Sequence, residues 1–177
     1  MPPINKIPDV LQNFRLYKDD TALIGTVDIE LPELESLTET LSGSGIAGEI
    51  ESPVTGHTKS LVCKLKYRAL TKDLLALAAP KGHLLTARGS VQEYDAGGAA
   101  YGSYPVKLVM QGPVKKLGAG KMEPGKKQEN GVEVECFYLK ISVDDVDCLE
   151  IDKLNCKYVV DGVDYLAQTR IHLGMEA

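Results

Sequence analysis

The sequence contains no tryptophan and only two phenylalanines, and aromatics make up 6% of its 177 residues. That leaves little from which to line a concave aromatic pocket, and it counts against a monomeric ligand-binding β-sandwich module. Histidine occurs three times, as His57, His83 and His172, each remote from the others and from any cysteine. The four cysteines, Cys63, Cys136, Cys148 and Cys156, form no C-x-x-C pair, and their gaps match no zinc module. No apolar run approaches the ~18 residues that span a bilayer. The first residues, Met1-Pro2-Pro3-Ile4-Asn5-Lys6, lack the charged and apolar segments of a signal peptide. The expectation is a protein made in the cytoplasm, without disulfides, metal or cofactor. Basic charge is also short: Lys and Arg number 20 against 25 Asp and Glu, a net charge of −5. Binding a nucleic-acid backbone needs a basic footprint, so that class is disfavoured, although a surface past which nucleic acid slides is not.

What is present suits one domain over residues 1–177: 44% hydrophobic and 25% charged residues rule out wholesale disorder. Seventeen Gly, nine Pro and few long helical patterns point to a turn-rich β protein. Residues 1–10, with Pro2, Pro3 and Pro8, read as an extended arm. Strands are expected at 13–17 and 23–31, the latter with Leu23, Val27, Ile29 and Leu31 on one face. Residues 34–41 fit a helix or a strand, and 42–57 read as a glycine loop with an extended segment inside it. Alternation over 58–67 sets Leu61, Cys63, Leu65 and Tyr67 against Ser60, Lys64 and Lys66. A helix is expected over 71–79, capped by Thr71, striped by Leu74, Leu75 and Ala78 and stopped by Pro80. A strand at 84–94, a loop at 95–104 and a long hairpin over 105–144 follow, the hairpin tip lying at 118–131. Its return strand changes parity, from Val132, Val134 and Cys136 to Leu139, Ile141 and Val143, so it must bend or serve two environments. A turn at 144–147, short strands at 149–152 and 157–160, and a turn at Asp161-Gly162 complete the β part. Asp164 is placed to cap a final helix at 165–173, with Gly174 just past its end.

Three stretches imitate chemistry. Gly43-Ser44-Gly45-Ile46-Ala47-Gly48 spells G-x-G-x-x-G, but Pro53 and Gly56 break the chain where the dinucleotide mechanism needs a helix. Gly120-Lys121-Met122-Glu123-Pro124-Gly125-Lys126 has P-loop spacing, with Lys127 where a magnesium-binding Ser or Thr belongs. Asp144, Asp145, Asp147, Glu150 and Asp152 have the composition of a calcium loop without its glycine or spacing. No Ser/His/Asp ordering or carboxylate pair is apparent, and no enzymatic activity is expected. Lys115, Lys116, Lys121, Lys126 and Lys127 make the hairpin tip basic in an acidic protein, which suits a solvated turn or an electrostatic docking point.

Leu31-Pro32-Glu33-Leu34, Gly43-Ser44-Gly45, Pro124-Gly125, Phe137-Tyr138-Leu139-Lys140, Glu150-Ile151-Asp152, Asn155, the closing run Gly162 to Arg170 and Gly174 occur in this order. Together they resemble the major tail tube proteins of contractile-tailed bacteriophages and of R-type bacteriocins. Phe137 stands where the family usually has Tyr, Ser44 interrupts a loop that is often all Gly, and residues 95–104 match poorly.

The resemblance implies a mainly β subunit, β-sandwich or barrel-like, with one packed internal helix and a short C-terminal helix. It implies hexameric rings, stacked helically into the inner tube of a contractile tail in the virion. The partners would be other copies, the sheath, baseplate and tail-terminator proteins, a tape measure protein inside the tube, and DNA in transit, without membrane insertion of the subunit. The alternative within the class is the tube of a DNA-free bacteriocin or injection device. Self-assembly contacts are expected at Gly43, Gly45, Gly48 and Glu49, at Lys121, Pro124, Gly125, Lys126 and Lys127, and at Asp164 and Arg170. Some of the negative charge is expected to line the lumen.

Overall fold

Side chains that alternate between oil and water build strands, and the clearest case sets the pattern for the whole chain. Leu61, Cys63, Leu65 and Tyr67 are all buried, while Lys64 and Lys66 between them face solvent. The computed structural model describes residues 6–19, 22–24, 26–126, 128 and 130–175. Among these the strands are β1 (Lys6–Lys18), β2 (Ala22–Ile24), β3 (Thr26–Glu30), β4 (Ser36–Ser42), β5 (Glu49–Thr58), β6 (Val62–Tyr67), β7 (Gly82–Asp95), β8 (Ala100–Gly118), β9 (Asn130–Glu135), β10 (Tyr138–Val143), β11 (Val146–Asp152), β12 (Lys157–Val160) and β13 (Val163–Asp164). Two short helices, α1 (Lys72–Ala76) and α2 (Ala167–His172), accompany them. The mainly β class expected from the sequence is therefore observed.

Eleven strands join in one antiparallel system ordered β13-β12-β11-β10-β8-β7-β1-β2, from which β9, β6 and β3 branch. The branch point is β8. Its residues 106–111 pair with β10 and its residues 114–118 with β9, with a register shift between Val114 and Lys116. This bend folds the branch over the main sheet and gives the barrel-like shape. The parity change in the return strand is the same event: β9 buries Val132 and Val134 against β6, the chain breaks step at Phe137, and β10 buries Leu139. Both environments belong to one subunit. Gly112 lies at this crossing, where a Cβ would sit 1.8 Å from the Glu135 carbonyl oxygen, so the backbones can meet only without a side chain.

The core between the layers is Leu16, Leu61, Cys63, Leu65, Leu85, Leu108, Met110, Val132, Val134, Leu139 and Ile151, joined by Leu74 and Leu77. Thr71 caps α1 as expected, its hydroxyl accepting from the Leu74 amide at 3.2 Å. The expected stripe is corrected: Leu74 and Leu77 face the core, whereas Leu75 and Ala78 are exposed, because the helix ends at Ala76 and the chain turns before Pro80.

Other boundaries move for the same reason, that pairing partners extend strands beyond their patterned centres. Residues 6–10 are extended, as expected, and they continue β1 and pair with β7, Ile7 opposite Tyr94. Residues 1–5 lie outside the described residues. The run 23–31 divides into β2, on β1, and β3, on β6, and the side chains of Leu23 and Val27 lie outside the description. The loop expected at 95–104 shrinks to a tight turn, since β8 begins at Ala100 opposite Asp95. Residues 34–41 resolve as strand from Ser36, and residues 42–57 are mostly strand β5. The C-terminal helix is shorter than expected. Leu166, not Asp164, stands at its N-cap position, with no side-chain cap. Gly174, at φ +68, closes the helix by bonding the Ile171 carbonyl, while Met175 bonds that of Arg170.

Candidate functional site

The β4–β5 hairpin forms a sheet of its own, paired only within itself. Its register sets Leu41 opposite Ile50, Thr40 opposite Glu51 and Ser42 opposite Glu49. Alternation therefore gathers Leu37, Leu41, Ile50 and Val54 on one face, around the central pair Glu39 and Ser52, and the four apolar side chains remain 46%, 46%, 52% and 39% exposed. The other face carries Thr38, Thr40, Ser42, Glu49, Glu51 and Pro53. Two strands alone are marginal in water, and an apolar face left open marks a surface that is covered in use.

The tip of this arm is the glycine segment. Gly43, Gly45 and Gly48 have φ of +146°, +94° and +123°, conformations that L side chains rarely adopt, yet a Cβ on any of them would meet nothing within 4 Å. Their glycines are needed for the turn and leave open space around it. A strand precedes the segment and a strand follows it, so no helix N-terminus exists there to receive a phosphate. At the base the arm is clamped. Gly56, φ +71°, presses its α-carbon against Leu166, and the Lys59 amide bonds the Glu35 carbonyl at 2.9 Å.

Charge is divided as sharply as apolar surface. Residues 31–58 contain Glu33, Glu35, Glu39, Glu49 and Glu51 and no lysine, arginine or aspartate, which equals the whole net charge of −5. The rest of the chain is neutral overall. Of these five, only Glu35 has an ion-pair partner among the described residues, Lys59.

The second expected contact, Lys121, Pro124, Gly125 and Lys126, lies in the loop between β8 and β9; Lys127 lies outside the described residues. This loop is stitched to the body. The Lys121 amide bonds the Gln128 carbonyl, and Gln128 bonds both the Arg68 carbonyl and the Leu70 amide. Its basic character is partly offset at short range, with Lys126 on Glu123 at 2.6 Å, Lys116 on Glu133 at 3.3 Å and Lys115 on Glu135 at 3.9 Å. A strand follows it, not the helix that a P-loop requires.

The third pair, Asp164 and Arg170, bonds to itself at 2.7 Å. Asp164 also accepts from the Leu166 amide at 3.0 Å, and Arg170 donates to the Cys156 carbonyl at 3.0 Å. Burial pushes the Asp164 carboxyl up, but the bonds from Arg170 and Leu166 outweigh it and hold the group below the ordinary range. The three sets of expected contacts thus sit on three separate elements.

The acidic cluster after β10 is engaged with protein groups. Asp147 accepts from Ser142 at 2.7 Å and pairs with Lys140 at 2.7 Å. Glu150 takes Tyr138 and Lys157, and Asp152 bonds the turn at Leu154 and Asn155. The cysteines are free thiols. Burial raises Cys63 to about 12 and Cys136 to about 11, so neither is a nucleophile at neutral pH.

Two features escaped sequence reasoning. The arm's apolar stripe was hidden because 34–41 admitted two periods, although the absence of lysine and arginine from 31 to 58 was countable. The second feature is an open sheet border. β1 pairs along its length with β7, but β2 covers its other side only at Leu16, Tyr17 and Lys18, which leaves residues 6–15 unpaired on that side among the described residues. The opposite end of the same sheet is the two-residue strand β13. No helix among the described residues is long and apolar enough to cross a membrane.

An open-ended sheet and an arm whose apolar side chains stay half exposed leave surface on the subunit for other molecules to cover. The sequence profile of the phage tail tube protein FII family matches residues 8–174, and the chain belongs to that family. It is 28% identical over 160 residues to the tail tube protein of Escherichia phage P2, covering 83% of this chain and 86% of that one. It is 26% identical over 157 residues to the major tail tube protein of Serratia phage KSP20, covering 88% and 90%.

Proposed function

We propose that this tail tube protein closes into six-membered rings that stack helically as the inner tube of a contractile tail, the path by which DNA leaves the virion. The observation that carries this reading is the eleven-stranded sheet with unfinished borders, among them residues 6–15 of β1 near one end and β13 at the other. A heterologous contact between unlike borders closes by rotation into a ring, which removes the edges. A second contact along the axis turns rings into a tube, and the arm with Gly43, Gly45, Gly48 and Glu49 is its natural donor. The loop with Lys121, Pro124, Gly125, Lys126 and Lys127 supplies a further contact, and the Asp164–Arg170 pair holds the C-terminal segment in place for it. A sheath would surround this tube, baseplate and terminator proteins would cap it, and a tape measure protein would fill it before DNA. The subunit is synthesised in the host cytoplasm and carries out no catalysis.

Sedimentation and negative-stain microscopy of the concentrated protein, with and without a baseplate seed, test the reading. Rings and hollow tubes are expected. A chain that stays monomeric at high concentration even with the seed overturns it. Some of the negative charge is proposed to give the lumen a surface that repels phosphate, and a neutral or basic lumen in a reconstruction of the tube would refute that part.

A further inference from the structure

On the sheet face opposite the core, Arg15 of β1 lies directly across from Arg88 of β7, and Arg88 directly across from Lys107 of β8. The next residues in each strand, Leu16, Ala87 and Leu108, are buried, so alternation turns the three cations outward together. Neighbouring strands are about 4.8 Å apart, so the row spans roughly 10 Å. Like charges placed directly opposite destabilise a sheet. Arg88 also has a partner within the chain, whereas Arg15 and Lys107 on either side of it have no ion pair among the described residues. The acid closest along the row, Asp147, is already held by Lys140 and Ser142.

The complement of this row is the arm. Glu49 and Glu51 share one face of β5, two residues or about 7 Å apart, and neither has an ion pair among the described residues. We propose that Arg15 and Lys107, flanking Arg88, form the seat on a second copy of this chain for the acidic face of its arm. The proposal rests on the stacked-tube reading and names the seat of the axial contact. Charge complementarity selects the occupant: residues 31–58 hold five glutamates and no lysine or arginine, the rest of the chain is neutral overall, and in the row Arg15 and Arg88 are exposed and Lys107 half-buried. Each pair is weak alone, but a ring presents six at once, and repetition around the ring makes the sum decisive.

The test is a charge swap on the full chain. R15E/K107E and E49K/E51K are each expected to form rings but to raise the protein concentration needed for tube growth by about tenfold or more at low salt. The four substitutions together are expected to restore growth. Circular dichroism controls for folding, and if R15E/K107E does not fold, R15Q/K107Q is used and a smaller rise in the same direction is expected. Normal tubes from either pair of variants overturn the proposal, as does a fourfold variant that fails to recover. A short DNA duplex that binds the unmodified protein and not R15E/K107E, with tube growth unchanged, would assign the row to nucleic acid and overturn the arm as occupant. If the unmodified protein forms no rings even with a seed, the tube reading itself falls, which is a different result from rings that do not stack.

Discussion

The body and the arm are both antiparallel strands, yet opposite forces hold them. In the body, Leu65, Leu85 and Met110 are fully excluded from water, and burial of each such side chain contributes about 1.5–3 kcal/mol. In the arm, Leu37, Leu41 and Ile50 remain about half exposed and stabilise the isolated subunit little. Glycines divide in the same way. Gly112 and Gly120 each have a backbone oxygen 1.8 Å from where a Cβ would stand, while Gly43, Gly45 and Gly48 have none within 4 Å. The body is packed from within, and the arm carries its apolar and charged surface uncovered.

The sharpest way to break this contrast is with glycine. Gly112→Val drives carbon into the Glu135 carbonyl at the crossing of β8 with the return strand. It is expected to cost more than about 3 kcal/mol and to leave little folded protein, as read by denaturant titration. Gly45→Glu is expected to cost at most about 1 kcal/mol, from its φ alone, and to stop tube growth. If the two variants lose comparable stability, the division between body and arm is wrong.

Leucine truncation gives the next largest effect. Leu65→Ala should destabilise by about 2–5 kcal/mol. Leu41→Ala should lie within about 0.5 kcal/mol of the unmodified subunit and act only on assembly. Equal losses would place the arm inside the folding unit.

Asp164→Asn should cost about 1–2 kcal/mol at neutral pH, by weakening the bond to Arg170. Because the folded carboxyl is held below its ordinary range, its stabilisation is complete above the unfolded value, ~3.9, and fades as pH falls through the lower folded one. The gap between the two proteins should therefore close on acidification below the ordinary carboxylate range. A gap that widens would contradict the direction of the shift.

The smallest effect is chemical. Cys63 and Cys136 should resist a thiol reagent at neutral pH in the folded subunit, while Cys148 and Cys156, partly exposed, react. Replacing all four with Ala or Ser should remove no activity and should lower stability only through the two buried positions. Fast labelling of Cys63 would show the core to be open.

How far the fold was legible depended on whether a residue's partner was near in sequence. The alternation of Leu61, Cys63, Leu65 and Tyr67, the cap at Thr71 and the turns at Asp144-Asp145 and Asp161-Gly162 were read correctly, because each is decided within a few residues. The parity change at Phe137 was visible too, but not its cause, since the second environment is a sheet brought over by the bend in β8. The strand identity of residues 6–10 was missed because β7, their partner, lies some eighty residues away. The candidate contacts fall on three separate elements, and nothing in their order shows that Asp164 reaches Arg170 or that Lys126 reaches Glu123.

Composition and period were enough to define a β-rich chain with a glycine-rich stretch, because residue usage and alternation are properties of neighbours. Which apolar faces stay open, which sheet borders stay unfinished and which cations line up across β1, β7 and β8 depended on long-range register. Shifting a strand by one residue would send every side chain to the other face, so these surfaces exist only once the strands have found each other.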